Sequence, residues 1–196
     1  MGQRDPVERS TYEFVRSQGG VLTALSIPGK IRLAGVASLA AAGMLPLLYL
    51  LPEGVRELYF DVEPVAATIG IALVAGLGIG NLLAGGVGLV ALVVRRANTE
   101  EMTESRAWSL VGLEGICSGL ILITGLLAVA VTLGLAGLGF AGTELVETAA
   151  GVGVQPYATV AYDISVGSIA VFGLVSGVVL LGFSVYAGRV ERDSHS

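Results

Sequence analysis

One stretch of the sequence decides the fold class: WSLVGLEGICSGLILITGLLAVAVTLGLAGLGF, from Trp108 to Phe140. It is a continuous apolar run in which Glu114 is the only charged residue. A helix of roughly 20 apolar residues crosses roughly 30 Å of hydrocarbon, so this run is long enough to span a membrane. Its continuity favours a helix, because the strands of membrane barrels are roughly ten residues long and alternate in polarity.

Three further apolar stretches accompany it and set the architecture. They run from Ile31 to Leu51, from Val65 to Val94 and from about Ala161 to Ala187. The chain of 196 residues is 54% hydrophobic and only 14% charged, which is far more apolar than an ordinary soluble domain. These stretches predict an all-α fold, an integral membrane four-helix bundle whose four transmembrane helices occupy residues 31–187.

The charged residues outside these stretches are sorted by sign. Bases concentrate before the first stretch, between the second and third, and after the fourth, whereas the other two connections are acidic. Because basic residues near span ends stay on the cytoplasmic side, the pattern predicts a multi-pass protein of the cell membrane with both termini in the cytoplasm. Residues 1–30 would form a cytoplasmic segment and residues 188–196 a cytoplasmic tail.

Local signals in the connections add detail. Apolar residues between Val7 and Val15 are spaced as one face of a helix, which predicts a short amphipathic N-terminal helix on the cytoplasmic membrane surface. Residues 143–151 predict a short surface helix outside the membrane. Tyr157 and Tyr162 are placed for the aromatic belt at the outer interface.

The choice of residues also points to an environment. Arginine is far commoner than lysine, which occurs once, and Ala, Gly and Val dominate the composition. This style resembles membrane proteins of salt-accumulating haloarchaea. The resemblance covers the whole chain, rests on composition without a motif, and implies a habitat rather than an activity.

Glycines are dense in the predicted spans, and several pairs are four residues apart. Small residues at this spacing let two helix backbones approach closely within a membrane. The spacing predicts packing surfaces, either within one chain or between chains of a homo-oligomer or a larger membrane complex. The predicted packing glycines are Gly76, Gly80, Gly115, Gly119, Gly173 and Gly177.

Glu114 is the chemically conspicuous residue of the spans. At roughly 1.5 Å per residue it lies about 9 Å deeper than Trp108, where desolvation disfavours a carboxylate unless a base or several donors stabilise it. Ser118 lies one turn further on the same face. Arg32 or Arg95 is expected as a counter-ion, because a long basic side chain can extend along apolar surface. Glu114 is therefore either an interhelical node or part of a proton or cation relay.

Asn81 is the second polar residue predicted at membrane depth. It lies between Gly80 and the pair Gly85 and Gly86, where two interpretations are open. A hydrogen bond of its amide to a neighbouring span would make it a packing residue. A break of the second helix at this point would be a transporter-like feature.

Several chemistries lack the residues that they require. The single histidine, His195, lies in the tail, which excludes haem held by two histidines of the bundle and a histidine-rich zinc site. The single cysteine, Cys117, excludes a disulfide within the chain and a redox pair. We therefore expect no catalytic residues, no metal site, no cofactor and no nucleic-acid partner.

These observations predict a non-catalytic structural or accessory subunit. Its partners would be the lipid bilayer and neighbouring chains that pack against its glycine-rich helix faces. The alternative is a small transporter or a proton- or cation-conducting protein that uses Glu114, with a broken second span at Asn81. A membrane sensor that signals through residues 98–106 is a third interpretation.

Overall fold

The structure is a computed structural model that describes residues 25–98 and 103–193. As predicted, this part of the chain is all-helical. A π-helical turn, Leu120–Gly125, joins the helix Glu104–Gly119 to the helix Leu126–Gly137. A 3-10 turn, Leu138–Ala141, follows the second of these helices. The amphipathic helix predicted between Val7 and Val15 lies outside the described residues. The helices are α1 (Ile27–Ala42), α2 (Met44–Tyr49), α3 (Glu53–Tyr59), α4 (Gly70–Ala97), α5 (Glu104–Gly119), α6 (Leu126–Gly137), α7 (Thr143–Gly151) and α8 (Val166–Asp193).

Four helical segments are long and apolar enough to cross a membrane, as expected of a multi-pass membrane protein. The first begins at Ile27, earlier than the predicted Ile31, because its start has a strong local signal. Ser26 is the N-cap, and its side-chain oxygen accepts a hydrogen bond of 3.2 Å from the backbone N–H of Gly29. This early start places Lys30 inside the helix. Spans one to four are Ile27–Tyr49, Gly70–Ala97, Glu104–Ala141 and Val166–Arg192.

Spans one and four run in opposite directions, and so do spans two and three, in which Gly85 packs against Cys117 and Gly78 against Ala128. The hydroxyl of Ser184, late in span four, donates a 3.0 Å hydrogen bond to the carbonyl oxygen of Pro28, at the start of span one. Deeper in the bundle, Gly173 of span four lies against the backbone of Ser38. One end of the bundle therefore collects most bases of the described residues, and we call it the basic end. Its bases are Lys30, Arg32, Arg95, Arg96, Arg106, Arg189 and Arg192.

Span two is one uninterrupted α-helix of 28 residues, so of the two interpretations left open for Asn81, the broken helix is not what the structure has. Glycine weakens a helix without preventing its backbone hydrogen bonds, and neighbouring spans cover this stretch: Gly85 packs against Cys117 and Gly86 against Leu180. At about 42 Å the helix is longer than the hydrocarbon layer, so it must tilt or project from it. Irregularities occur instead in span one, where α1 and α2 meet at Gly43, and in span three, at its π-helical turn.

The two connections at the opposite end, which we call the acidic end, are joined to each other. The backbone N–H of Gly70 donates to the carbonyl oxygen of Ala158 at 3.0 Å, and that of Val160 donates to Thr68 at 2.9 Å. These bonds fasten the start of span two to the connection that precedes span four. The short helix predicted over residues 143–151 is confirmed as α7.

Tyr157 closes the acidic end of the bundle. Its ring centroid lies 5.7 Å from that of Tyr59, and its hydroxyl accepts a 2.9 Å hydrogen bond from the N–H of Gly139 and donates one of 3.0 Å to the carbonyl oxygen of Ala136. Only 2% of the residue is exposed, so its assignment to an aromatic belt is wrong. The paired connections draw it inward, whereas Tyr162 stays 65% exposed.

Candidate functional site

The candidate site joins span one to span three near the basic end. Glu114 lies on α5, which begins at Glu104 after the N-cap residue Thr103. Lys30 lies in the first turn of α1. The Nζ atom of Lys30 is 2.7 Å from the Oε1 atom of Glu114, and both side chains are 0% exposed. The two spans are therefore linked by a buried ion pair.

The base that contacts Glu114 is one that sequence reasoning assigned to the cytoplasmic segment. The expected counter-ions were Arg32 and Arg95, and both are exposed side chains in the structure. Because α1 begins before Lys30, that residue lies inside a helix, and its side chain reaches the level of Glu114. One signal was available in the sequence: Lys30 is the only lysine in a chain that uses arginine elsewhere.

The hydroxyl groups that follow Glu114 along span three bond to their own helix. The hydroxyl of Ser118 donates to the carbonyl oxygen of Glu114 at 2.6 Å, and that of Thr132 donates to Ala128 at 2.8 Å. Thr124, in the π-helical turn, makes the same kind of local bond. Each hydroxyl thus donates its proton to a carbonyl oxygen one turn earlier in the same helix. In the described part of the chain, these hydroxyls therefore form no hydrogen-bonded path that leads away from Glu114.

Asn81 lies apart from this pair. It is half-buried on span two, and its side chain forms no hydrogen bond with any described residue. Gly85, one turn closer to the basic end, packs at the level of Cys117. Asn81 is therefore deeper in the bundle than Glu114. Of the three predicted polar site residues, the structure brings together Glu114 and Ser118 and leaves Asn81 separate.

Three of the six predicted packing glycines lie at contacts between spans. A Cβ atom added at Gly173 or Gly177 would lie 2.9 Å or 3.0 Å from a backbone oxygen of span one. One added at Gly76 would lie 2.8 Å from the Cδ1 atom of Ile169 in span four. Span four thus packs closely against both span one and span two. At Gly173 and Gly177 the neighbour is backbone, so these positions need a residue without a side chain, whereas the end of the Ile169 side chain can shift beside Gly76.

The other three predicted glycines have open space beside them. A Cβ atom added at Gly80, Gly115 or Gly119 would have no heavy atom of another element within 4 Å. A close approach that the spacing rule missed is at Gly85, where a Cβ atom would lie 2.7 Å from the carbonyl oxygen of Cys117. Four-residue spacing shows that two glycines share a helix face, but it does not show which neighbour covers that face.

Across residues 25–98 and 103–193, no group of three or more His, Cys, Asp or Glu side chains is arranged to hold a metal ion. Comparison with protein-family models, with curated proteins and with solved structures gave no match. The function is therefore inferred from the geometry of the bundle, and above all from the buried pair of Lys30 and Glu114.

Proposed function

We propose that this chain is a non-catalytic structural or accessory protein of the cell membrane that packs against neighbouring chains through glycine-rich helix faces. The observation that carries the proposal is the contact between Lys30 and Glu114. Glu114, the single charged residue of the stretch from Trp108 to Phe140, is held at 2.7 Å from a base, with both side chains fully buried. A carboxylate in this setting is suited to holding two spans together.

The energetics of such a pair favour a structural role. Removing two charges from water costs several kcal/mol per ion, and their attraction repays this cost only when the geometry is good. Removing one partner leaves the other buried and unpaired, at a cost of roughly 3–5 kcal/mol. A pair of this kind adds little net stability, but it disfavours every alignment of spans one and three that would separate Lys30 from Glu114.

The open face of span three supports association with another chain. Gly115 and Gly119 lie four residues apart with no neighbour beside them, and Ile116 and Ile123 are 67% and 58% exposed. In a membrane this face would contact either lipid or a second helix. Small residues favour the second helix, because they let backbones approach closely enough for extensive van der Waals contact.

Orientation follows from the charges of the two ends. Most bases of the described residues lie at the basic end, and the excess of Lys and Arg marks the cytoplasmic side of membrane proteins. We therefore place the basic end in the cytoplasm, which puts both termini there. The acidic end, including α3 and α7, would face the outside.

A proton or cation relay through Glu114 is the second candidate. Ionisable residues within spans are by default functional hypotheses. In addition, a π-helical turn follows α5 directly at Leu120–Gly125, and such turns occur often at functional sites. Against this candidate, the donor protons of Ser118 and Thr132 are used within span three.

A flux assay separates the two candidates. The wild-type protein, Glu114→Gln and Glu104→Gln would be placed in liposomes under an imposed proton or cation gradient; Glu104 is an exposed acid on the same helix and serves as the control. We expect all three to leave the gradient intact, and we expect a lower unfolding temperature for Glu114→Gln alone. If the wild type dissipates the gradient and the Glu114→Gln variant is folded but does not, the relay is established instead.

A further inference from the structure

A groove opens at the basic end between the start of α1 and the end of α8. It has a volume of about 570 Å³. Three arginines line it, Arg32 from α1 and Arg189 and Arg192 from α8, and all three are exposed. The groove is distinct from the buried pair, whose Lys30 and Glu114 do not line it.

The arginines converge because of how the two helices meet. Arg189 and Arg192 are three residues apart, which places them on neighbouring positions of one helix face. The hydrogen bond of 3.0 Å from Ser184 to the carbonyl oxygen of Pro28 aligns the end of α8 with the start of α1. Arg32, one turn after Pro28, therefore lies beside the arginines of α8.

Acids with described side chains leave the positive charge of the groove unbalanced. Among the described residues, no carboxylate lines the groove and none forms an ion pair with Arg32, Arg189 or Arg192. Glu191 is a neighbour in sequence, but it is not part of the lining. The Nε atom of Arg192 donates to the carbonyl oxygen of Gly188 at 3.3 Å, and no other hydrogen bond joins this guanidinium to a described residue.

Helix dipoles contribute little to this charge. The N-terminus of α1 and the C-terminus of α8 lie side by side, and their partial charges have opposite signs and similar size. Their effects on an anion in the groove largely offset each other. The attraction for an anion therefore rests on the three guanidinium groups.

The groove also has an apolar side. Val185 lines it and is 57% exposed, and Val36, one turn deeper than Arg32 on α1, is 51% exposed. A ligand with an anionic head and an apolar tail would satisfy both parts of this surface. A free anion would use only the arginines.

We propose that this groove binds a phosphate group, and specifically that of an acidic phospholipid of the surrounding membrane. Guanidinium groups bind phosphate oxygens through paired hydrogen bonds, and basic pockets between membrane helices on the cytoplasmic side are suited to lipid headgroups. The acyl chains would lie along Val185 and Val36. This site would tie spans one and four together at the cytoplasmic surface, independently of whether Glu114 is structural or part of a relay.

Lipid titration of the full chain in a mild non-ionic detergent tests the proposal. Phosphatidylglycerol, phosphatidylcholine and inorganic phosphate would be added separately, and retained lipid would be counted by native mass spectrometry while the unfolding temperature is recorded. The test variant replaces Arg32, Arg189 and Arg192 by Gln. The matched control replaces Arg95, Arg96 and Arg106 by Gln, which removes the same charge from the same end of the bundle outside the groove.

We expect the wild type and the control variant to retain phosphatidylglycerol in preference to phosphatidylcholine. The groove variant should stay folded and bind phosphatidylglycerol roughly a hundredfold more weakly, given the attraction of three bases. Groove-dependent stabilisation by inorganic phosphate alone would support the phosphate site and assign it to a soluble ligand. Equal losses of phosphatidylglycerol binding in both variants, or no loss of binding in the groove variant, would overturn the proposed site.

Discussion

The Nζ atom of Lys30 lies 2.7 Å from the Oε1 atom of Glu114, and the two belong to spans that enter the bundle from the same end. A contact between parallel spans sets their relative height, because sliding either helix by one turn would separate the charges by roughly 5 Å. In a bundle whose helices are apolar on every side, few other contacts distinguish one alignment from the next. The pair is therefore the strongest alignment signal between spans one and three.

A double-mutant cycle tests this structural role. Lys30→Met and Glu114→Leu should each lower the free energy of unfolding by roughly 3–5 kcal/mol, because each leaves one buried charge unpaired. The double variant should recover most of that loss, since two apolar side chains of similar size need no partner. Equilibrium unfolding in detergent measures the coupling; losses that simply add would show that the two residues act independently.

Glycine contacts predict a contrast within span two. Gly85→Ala would place a methyl group 2.7 Å from the carbonyl oxygen of Cys117, a backbone atom that moves only if span three moves. We expect it to lower the free energy of unfolding by roughly 1–3 kcal/mol. Gly80→Ala on the same helix meets open space and should be neutral or stabilising by up to roughly 1 kcal/mol. Thermal unfolding of both variants would measure this difference. Equal changes in the stability of the two variants would contradict the close packing of Gly85 against span three.

The open face of span three predicts a defect in association without a defect in folding. Gly119→Leu adds a large side chain whose Cβ atom would meet no heavy atom of another element in the single chain, so the unfolding temperature should hold. Association with a second copy or with another membrane chain should weaken, which co-purification in mild detergent would show. Gly182→Leu, also beside open space but on span four, is the matched control. Unchanged assembly in Gly119→Leu would remove this face from the proposal.

Tyr157→Phe tests the closure of the acidic end. The substitution keeps the ring but removes the hydroxyl that bonds Gly139 and Ala136. We expect a loss of roughly 1–3 kcal/mol in the free energy of unfolding, because a buried N–H is left without its partner. Tyr162→Phe, at an exposed position, should change it by less than roughly 0.5 kcal/mol. Chemical unfolding of the two variants would test the difference.

The same tyrosine predicts a response to alkaline pH. Burial, followed by the nearby Tyr59, raises the pKa of the Tyr157 hydroxyl above its usual value of 10.0. The unfolded chain then loses this proton at a lower pH than the folded protein does. The contribution to stability is present below pH 10 and is lost as pH rises above it. As the pH is raised through 10, the unfolding temperature should fall less steeply for Tyr157→Phe than for the wild type.

Some features could be predicted because they depend on short stretches of sequence. The length of an apolar run decides whether a helix can cross a membrane, and four such helices are present. Glu114 stood out because it is the only charged residue in the run from Trp108 to Phe140. For Asn81 the sequence left open a hydrogen bond to a neighbouring span and a break of the helix; the helix is continuous, and Gly85 and Gly86 pack against spans three and four.

The sequence by itself determined the number of spans, their helical character and the sorting of charge between the two ends, because these follow from local apolarity and from the cost of placing charge in hydrocarbon. Only the tertiary structure decided that Lys30 meets Glu114, that Arg32 lies with Arg189 and Arg192, and that Tyr157 is buried. Helices that are apolar all round carry no hydrophobic stripe to say which side faces which neighbour. That choice is made by close contacts between residues far apart in the chain, such as Gly35 with Gly177.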